Sequence, residues 1–291
     1  MRYIITGVAV LVLPFLAKPK AGPSMKIDQP YTVDSLGACQ GISYQDGRVF
    51  LYGDREVGMV REYRQQGDSL VYTSKEIKLT LNDTDVINHP TGFACHKDDP
   101  FFIGNSIRLN KEGTSWRAVI YCVDWKGLQR TKHMDGNLLN TIEDDACIQG
   151  TRPEYVRCNK KWYVATADYG DKGNEVRLYD PQALSKAKRT SEKGVLYKKF
   201  TCTPWVQNLY WMADKGLLLL IQNQMEGRKW RFTYVDLAAS IASGKQEVVK
   251  IVDIDGREDE LEGFTFLLGY TKGIAVTSSR RDNVNRMSIT W

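Results

Sequence analysis

Five stretches of the chain share one plan of apolar and polar positions. Each begins with a polar residue next to a short apolar run: Gln40-Gly41-Ile42, Thr91-Gly92-Phe93, Glu154-Tyr155-Val156, Gln207-Asn208-Leu209 and Glu262-Gly263-Phe264. A polar turn follows, then a second apolar run at 49–52, 101–104, 162–167, 217–221 and 274–277. Alternating segments at 116–124, 174–180 and 229–236 predict a third strand in each unit, because side chains on a strand point to opposite faces in turn. Fourth strands are predicted at 70–79, 195–201 and 246–254. Asp180-Pro181 and Asp236-Leu237 start two short helices, with Asp as the cap and Pro181 in the first turn; Gly244 ends the second.

The units recur at spacings of 51, 63, 53 and 55 residues. Four strands per unit at this period describe one blade of a β-propeller, whose small sheets bury their faces only by stacking around an axis. The last unit runs out at Trp291 after three strands, and residues 26–36 precede the first unit without a blade of their own. The N-terminal strand therefore completes the last blade and closes the ring, which removes exposed edges. The fold class is all-β, a five-bladed propeller of four-stranded blades. The alternative of six blades would need a degenerate unit, and the 63-residue step is too short to hold one.

Composition narrows the picture. At 42% hydrophobic residues the 291-residue chain supports a full core. Arg2 and the apolar segment after it have the form of a leader, so residues 1–22 are expected to be a signal peptide and 23–291 the propeller domain. The protein is then secreted or periplasmic, with no membrane span once the leader is removed. The net charge of +5 includes Arg2, Lys18 and Lys20, so the mature chain carries +2. No basic cluster suggests nucleic acid as a partner, and a monomer is expected. Six cysteines, Cys39, Cys95, Cys122, Cys147, Cys158 and Cys202, fit an oxidising compartment and predict one or two disulfides alongside buried thiols.

Candidate chemistry follows from the geometry of a propeller, in which loops leading into the innermost strand and loops joining the second and third strands share one face. The first set supplies Gln40, Thr91, Glu154, Gln207 and Glu262, together with Asn88-His89-Pro90, Arg152-Pro153, Trp205 and Glu258-Asp259-Glu260. Glu154 and Glu262 with neighbouring amide and hydroxyl oxygens would suit calcium, or would bind water and strand backbone. The joining loops supply Asp54-Arg55, Asn105 with Arg108, Asp168 with Lys172, Asn223 with Arg228, and Arg280. Those five cations would form an anion-binding ring if they converge, or would pair locally with acids such as Glu56 and Asp282. His89 reads as a base, a ligand or a turn residue, and Trp205 as a stacking platform or blade core. Asp54, Glu154, Asp168 and Glu262 are the carboxylates available for hydrolysis. No G-x-S-x-G, H-E-x-x-H, P-loop or dinucleotide fingerprint occurs.

Glu262-Gly263-Phe264 and Gln40-Gly41-Ile42 resemble the first-strand motif of secreted propellers, among them the five-bladed calcium-activated nucleotidases and the six-bladed gluconolactonase-like proteins. The resemblance implies the fold, and for the nucleotidases calcium and carboxylates at the axis, where this chain has Gln40 and Gln207 beside Glu154 and Glu262. The functional expectation is an exported propeller that binds an anionic or sugar-like small molecule or glycan in its funnel, with hydrolysis as a further step. The alternatives are a non-catalytic protein-interaction propeller and a calcium-assisted hydrolase.

Overall fold

Residues 217–221 show how a propeller uses an unbroken apolar run. Leu218 and Leu220 pack towards one neighbouring blade, and Leu219 and Ile221 towards the other. Val49 and Leu51 are divided from Phe50 and Tyr52 in the same way. Strands buried on both faces carry no polar alternation, which is why the second strand of each unit reads as continuously apolar.

The computed structural model describes residues 22–33, 37–54, 57–67, 69–147, 149–225 and 229–291. The leader expected over residues 1–22 lies outside them, save its last residue. Five four-stranded antiparallel sheets form the blades. From the axis outwards, blade 1 comprises Ala38–Gln45, Arg48–Asp54, Gly58–Gln66 and Ser69–Lys78; blade 2 Pro90–Ala94, Phe101–Arg108, Trp116–Val123 and Leu138–Glu143. Blade 3 comprises Glu154–Cys158, Lys161–Ala167, Glu175–Tyr179 and Leu196–Thr201; blade 4 Val206–Met212, Leu217–Met225, Lys229–Asp236 and Val248–Ile254. Blade 5 takes Leu261–Phe266, Lys272–Thr277 and Val284–Thr290, and its outer strand is Ser24–Tyr31, paired from Ser24↔Thr290 to Tyr31↔Val284. The ring closes through the N-terminal strand, as the pattern requires.

Each of the five apolar clusters occupies one blade–blade interface. Three helices, Trp125–Thr131, Pro181–Leu184 and Leu237–Ser243, follow the third strands of blades 2, 3 and 4. Asp124, Asp180 and Asp236 cap them, accepting from the backbone N–H of the first turn. The helix in blade 2 was not among the predicted elements. It contains Gly127 and ends on Lys132 in the left-handed conformation (φ 73°) instead of on glycine.

The expected disulfides are not present: all six cysteines are free thiols. Cys39 and Cys122 belong to separate interface clusters. Cys158 and Cys202 contact a shared cluster but lie at opposite ends of blade 3, one closing the innermost strand and the other following the outermost. Burial pushes the Cys95 and Cys122 thiols up to about 11. Among the described residues, no helix is long and apolar enough to cross a membrane.

The innermost strands meet so closely that side chains are excluded at some positions. A Cβ on Gly263 would lie 3.0 Å from the Gly41 Cα, and a Cβ on Gly41 would lie 2.2 Å from the Tyr52 ring. The space left by Gly41 lets Tyr52 stack on Phe93 of blade 2 (centroids 4.2 Å apart). Its hydroxyl also accepts from the Asn208 Nδ2 of blade 4 at 3.3 Å. Blades 1 and 4 are not neighbours, so this bond crosses the axis. Gly41→Ala is expected to lower stability by about 1–3 kcal/mol through overpacking. In a Tyr52→Leu background the same substitution should cost less than half as much, read as a double-mutant cycle in urea denaturation.

Candidate functional site

Four innermost strands start with a β-bulge. The register slips between Cys39 and Gly41, Pro90 and Gly92, Val206 and Asn208, and Leu261 and Gly263. The extra residues are Gln40, Thr91, Gln207 and Glu262, each buried at the mouth of the axis. A bulge re-aims a side chain out of the sheet's alternation. In blade 3, Thr151 bridges Asp168 as Pro90 pairs with Asn105 and Leu261 with Thr277. Arg152, the residue after Thr151, therefore takes the fifth place in the ring. Glu154, aligned with Gln40 and Glu262 in the sequence pattern, lies two residues further along and lines a different cavity.

Arg152 is the centre of the funnel. It is 3% exposed. Its Nη2 donates to Gln207 Oε1 at 3.0 Å, its Nε to the Gln207 carbonyl at 3.3 Å and its Nη1 to the Gln149 carbonyl at 3.3 Å. The guanidinium carbon sits 5.3 Å from the centre of the Tyr169 ring. Burial pulls the Arg152 pKa down, and the charges of Asp168 and Glu262 oppose that shift. Thr91 Oγ1 donates to the Thr151 carbonyl, tying blade 2 into the same ring. Tyr169, whose phenol is pushed up by burial and by Glu260, donates towards Glu260 Oε1 at 3.3 Å and Asn223 Oδ1 at 3.5 Å.

Glu260 and Asn223 also line a cleft of about 430 Å³ over blades 4 and 5, with Glu258, Asp259, Ser278 and Ser279. Among the described residues two cations reach it, and both are engaged by acids. Arg257 donates to both Asp259 oxygens (3.0 and 2.8 Å) and covers the Trp230 ring at 4.1 Å. Lys229 lies 3.3 Å from Asp255 and 4.0 Å from Asp253.

The polar residues at the ends of the second strands have a structural task. Asn105 is fully buried, accepting from the His89 N–H at 3.0 Å and donating to the Val86 carbonyl at 3.4 Å. Asp168 accepts from the Gln149 N–H at 3.0 Å. Gln222 donates to the Pro204 carbonyl at 2.7 Å and to Thr203 Oγ1 at 2.9 Å. Each clamps the loop that leads into its own blade's innermost strand. Asn223 donates to the Leu261 carbonyl at 3.0 Å, tying blade 4 to blade 5. Trp205, half-buried, meets Tyr169 edge-on at 5.2 Å.

Of the five basic residues, three lie within the described residues. Arg108 is exposed and lies 5.0 Å from the Trp116 ring, while Lys172 and Arg280 face solvent. Arg55, Arg228 and the side chain of Asp54 lie outside the described residues. The carboxylates divide: Asp168 and Glu262 face Arg152, whereas Glu154 belongs to the channel beyond Tyr52 and Asn208. The ring does not fit calcium, which takes six to eight oxygens, because one of its five places is a guanidinium. Among the described residues no three His, Cys, Asp or Glu side chains form a metal-holding group.

Two outcomes follow. Arg152→Met leaves Asp168 and Glu262 buried without their cation and should cost about 3–5 kcal/mol; Arg152→Met combined with Glu262→Gln should cost less than the sum of the single changes, measured in urea. Burial raises the Glu154 carboxyl well above its ordinary 4.5. A raised folded pKa contributes stability that is complete below the unfolded value and lost as pH rises towards the folded one. Glu154→Gln should therefore match the parent near pH 4 and exceed it at pH 8, compared by thermal melts. The groups that sense the Glu154 charge are Tyr52, Cys95 and Tyr210.

No protein-family model matches the chain, and no curated protein matches it. Solved structures do. The chain is similar to the GH43_1 enzyme from Xanthomonas citri complexed with xylose, at 8% identity over 91% of this chain and 90% of that one, with a TM-score of 0.52. It is also similar to the C-terminal WD40 domain of Sif2, at 8% identity over 92% and 99% with a TM-score of 0.44. For hydrazine synthase from Kuenenia stuttgartiensis the identity is 14% and the TM-score 0.44; the matched region covers 87% of this chain but spans only 59% of that one. At these identities the likeness is one of fold: a five-bladed β-propeller, with structural neighbours among GH43 enzymes and WD40 propellers.

Proposed function

We propose that the chain binds a neutral, polyhydroxylated ligand of the sugar class in the cleft over blades 4 and 5. The observation that carries this reading is the lining of the cleft. Glu258, Glu260, Ser278 and Ser279 offer mostly hydrogen-bond acceptors and hydroxyls, and among the described residues the two cations present are held by Asp259, Asp255 and Asp253. Hydroxyl groups donate to carboxylates at little electrostatic cost, whereas a phosphate or carboxylate ligand would meet Glu258 and Glu260 as like charges. Arg108, Lys172 and Arg280, the described cations on which an anionic ligand would depend, are not among the lining residues of this cleft. Tyr169 hydrogen-bonds to both Glu260 and Asn223, which preorganises them. The GH43_1 enzyme with the same architecture is itself complexed with xylose. Hydrolysis is a further step, which would require one carboxyl of the cleft to serve as acid and another as base.

Calorimetric titration with neutral oligosaccharides and with sugar phosphates tests the reading, with reducing-end release followed in the same samples. Binding of a neutral sugar is expected, weakened about tenfold, or 1.4 kcal/mol, by Glu260→Gln or Asn223→Ala. Tighter binding of the phosphorylated compounds, or no sugar bound at millimolar concentration, would overturn it.

A further inference from the structure

At the opposite end of the axis the innermost strands enclose a second cavity of 140 Å³. Aromatic side chains, among them Tyr44, Tyr210 and Trp211, line it together with the polar Ser43, Gln45 and Asn208, and Glu154 is the one charged side chain among the lining residues. The geometry is unlike that of the funnel in one respect. Arg152 has acceptors on every side, whereas the Glu154 carboxylate takes a single hydrogen bond, from the Tyr155 backbone N–H. No ion pair to Glu154 exists among the described residues. The groups its charge acts on, Tyr52, Cys95 and Tyr210, are all acids. Trp211 Nε1 is also buried with no hydrogen-bond partner.

A half-buried carboxylate facing a narrow cavity, with no cation beside it among the described residues, is relieved by a proton or by a positive ligand. Aromatic walls specify which positive ligand. Ring faces attract a diffuse, weakly hydrated cation, and quaternary ammonium groups are recognised in this way, whereas a small hydrated metal ion would want more oxygens than the cavity offers. The size is also suitable, since a cavity of about 150 Å³ holds a benzene-sized molecule. We propose that this axial channel is a binding site for a methylated ammonium group, seated among Tyr44, Tyr210 and Trp211 with its charge against Glu154. The site is separate from the sugar cleft and does not depend on it. The proton and the ligand compete for one carboxylate, so binding strengthens as pH rises.

The test uses the full chain and matched probes: choline, its uncharged isostere 3,3-dimethylbutan-1-ol, and a short peptide with or without trimethyllysine. Binding is read by calorimetry and by tryptophan fluorescence. The expected result is that choline or the trimethyllysine peptide binds at least tenfold more tightly than its uncharged or unmethylated counterpart. Binding of both places the ammonium group alone in the channel; binding of the peptide only assigns the ammonium to a protein side chain. Glu154→Gln, which keeps the cavity's shape, should abolish that preference while leaving the weak binding of the isostere unchanged. Equal binding of choline and isostere, a preference that survives Glu154→Gln, displacement by potassium chloride as effective as by choline, or no binding at 100 mM probe would each overturn the proposal.

Discussion

Five strands meeting on one axis leave less room than five sets of side chains would fill, and that crowding governs the interior. Gly41 and Gly263 approach to Cβ contact distance, and the volume that a side chain at 41 would take is occupied by the Tyr52 ring. Tyr52 then spans the axis to Asn208. A propeller with room at its centre would have one continuous tunnel. Here the interior divides into a polar funnel on one side of that bond and an aromatic channel on the other.

The division separates two charges that are close in sequence, Arg152 buried and Glu154 half-buried. Arg152 and Glu154 are two residues apart, yet they do not neutralise each other: no salt bridge joins them among the described residues, and the causes acting on the Glu154 carboxyl do not include Arg152. Arg152 is matched by amide and carbonyl acceptors and by two carboxylates, so its burial is compensated. Glu154, half-buried, has no such compensation among the described residues. Structural ionic groups are ordinarily satisfied from within the protein, and the contrast between these two residues is the physical reason for treating the lower channel as a place for something from outside.

The fold was readable in the sequence because it rests on periodicity. The repeat of a polar residue, a small residue and an apolar run marks where the axis is, and the unpaired segment at the start of the chain marks how the ring closes. The candidate site was only partly readable. Asn105 and Asp168 stand out as polar residues after apolar strands, but their spacing reflects the clamping of loop backbone, which recurs at Gln222 in blade 4 and not at Thr277 in blade 5. The basic residues of the joining loops also recur, and they recur because exposed loops are polar. Arg152 was legible as part of Arg152-Pro153 but hidden by register. In blade 3, Pro153 stands where other blades have Gly41, Gly92 and Gly263, so the eye moves to Glu154-Tyr155 as the repeat and assigns the axial place to the wrong residue. The cysteines misled for a different reason: a thiol packs as a small apolar group in an interface core, as five of the six do here, and six cysteines look like a disulfide set when only their number is counted.

The bulges explain why the axial ring carries information at all. Within a strand, each side chain must fill the interface of one blade pair, which restricts it to apolar residues of suitable volume. The extra residue of a bulge is released from that alternation. Gln40, Thr91, Gln207 and Glu262 share a position and a degree of burial but differ in chemistry, and Arg152 differs from all four in charge. What the ring residues have in common is that they satisfy each other: Gln207 receives Arg152, Thr91 holds the Thr151 carbonyl, and Glu262 supplies charge to Arg152. The blades are therefore held by apolar interfaces that are nearly interchangeable, while the individuality of this propeller lies in one released residue per blade and in the loops those residues anchor.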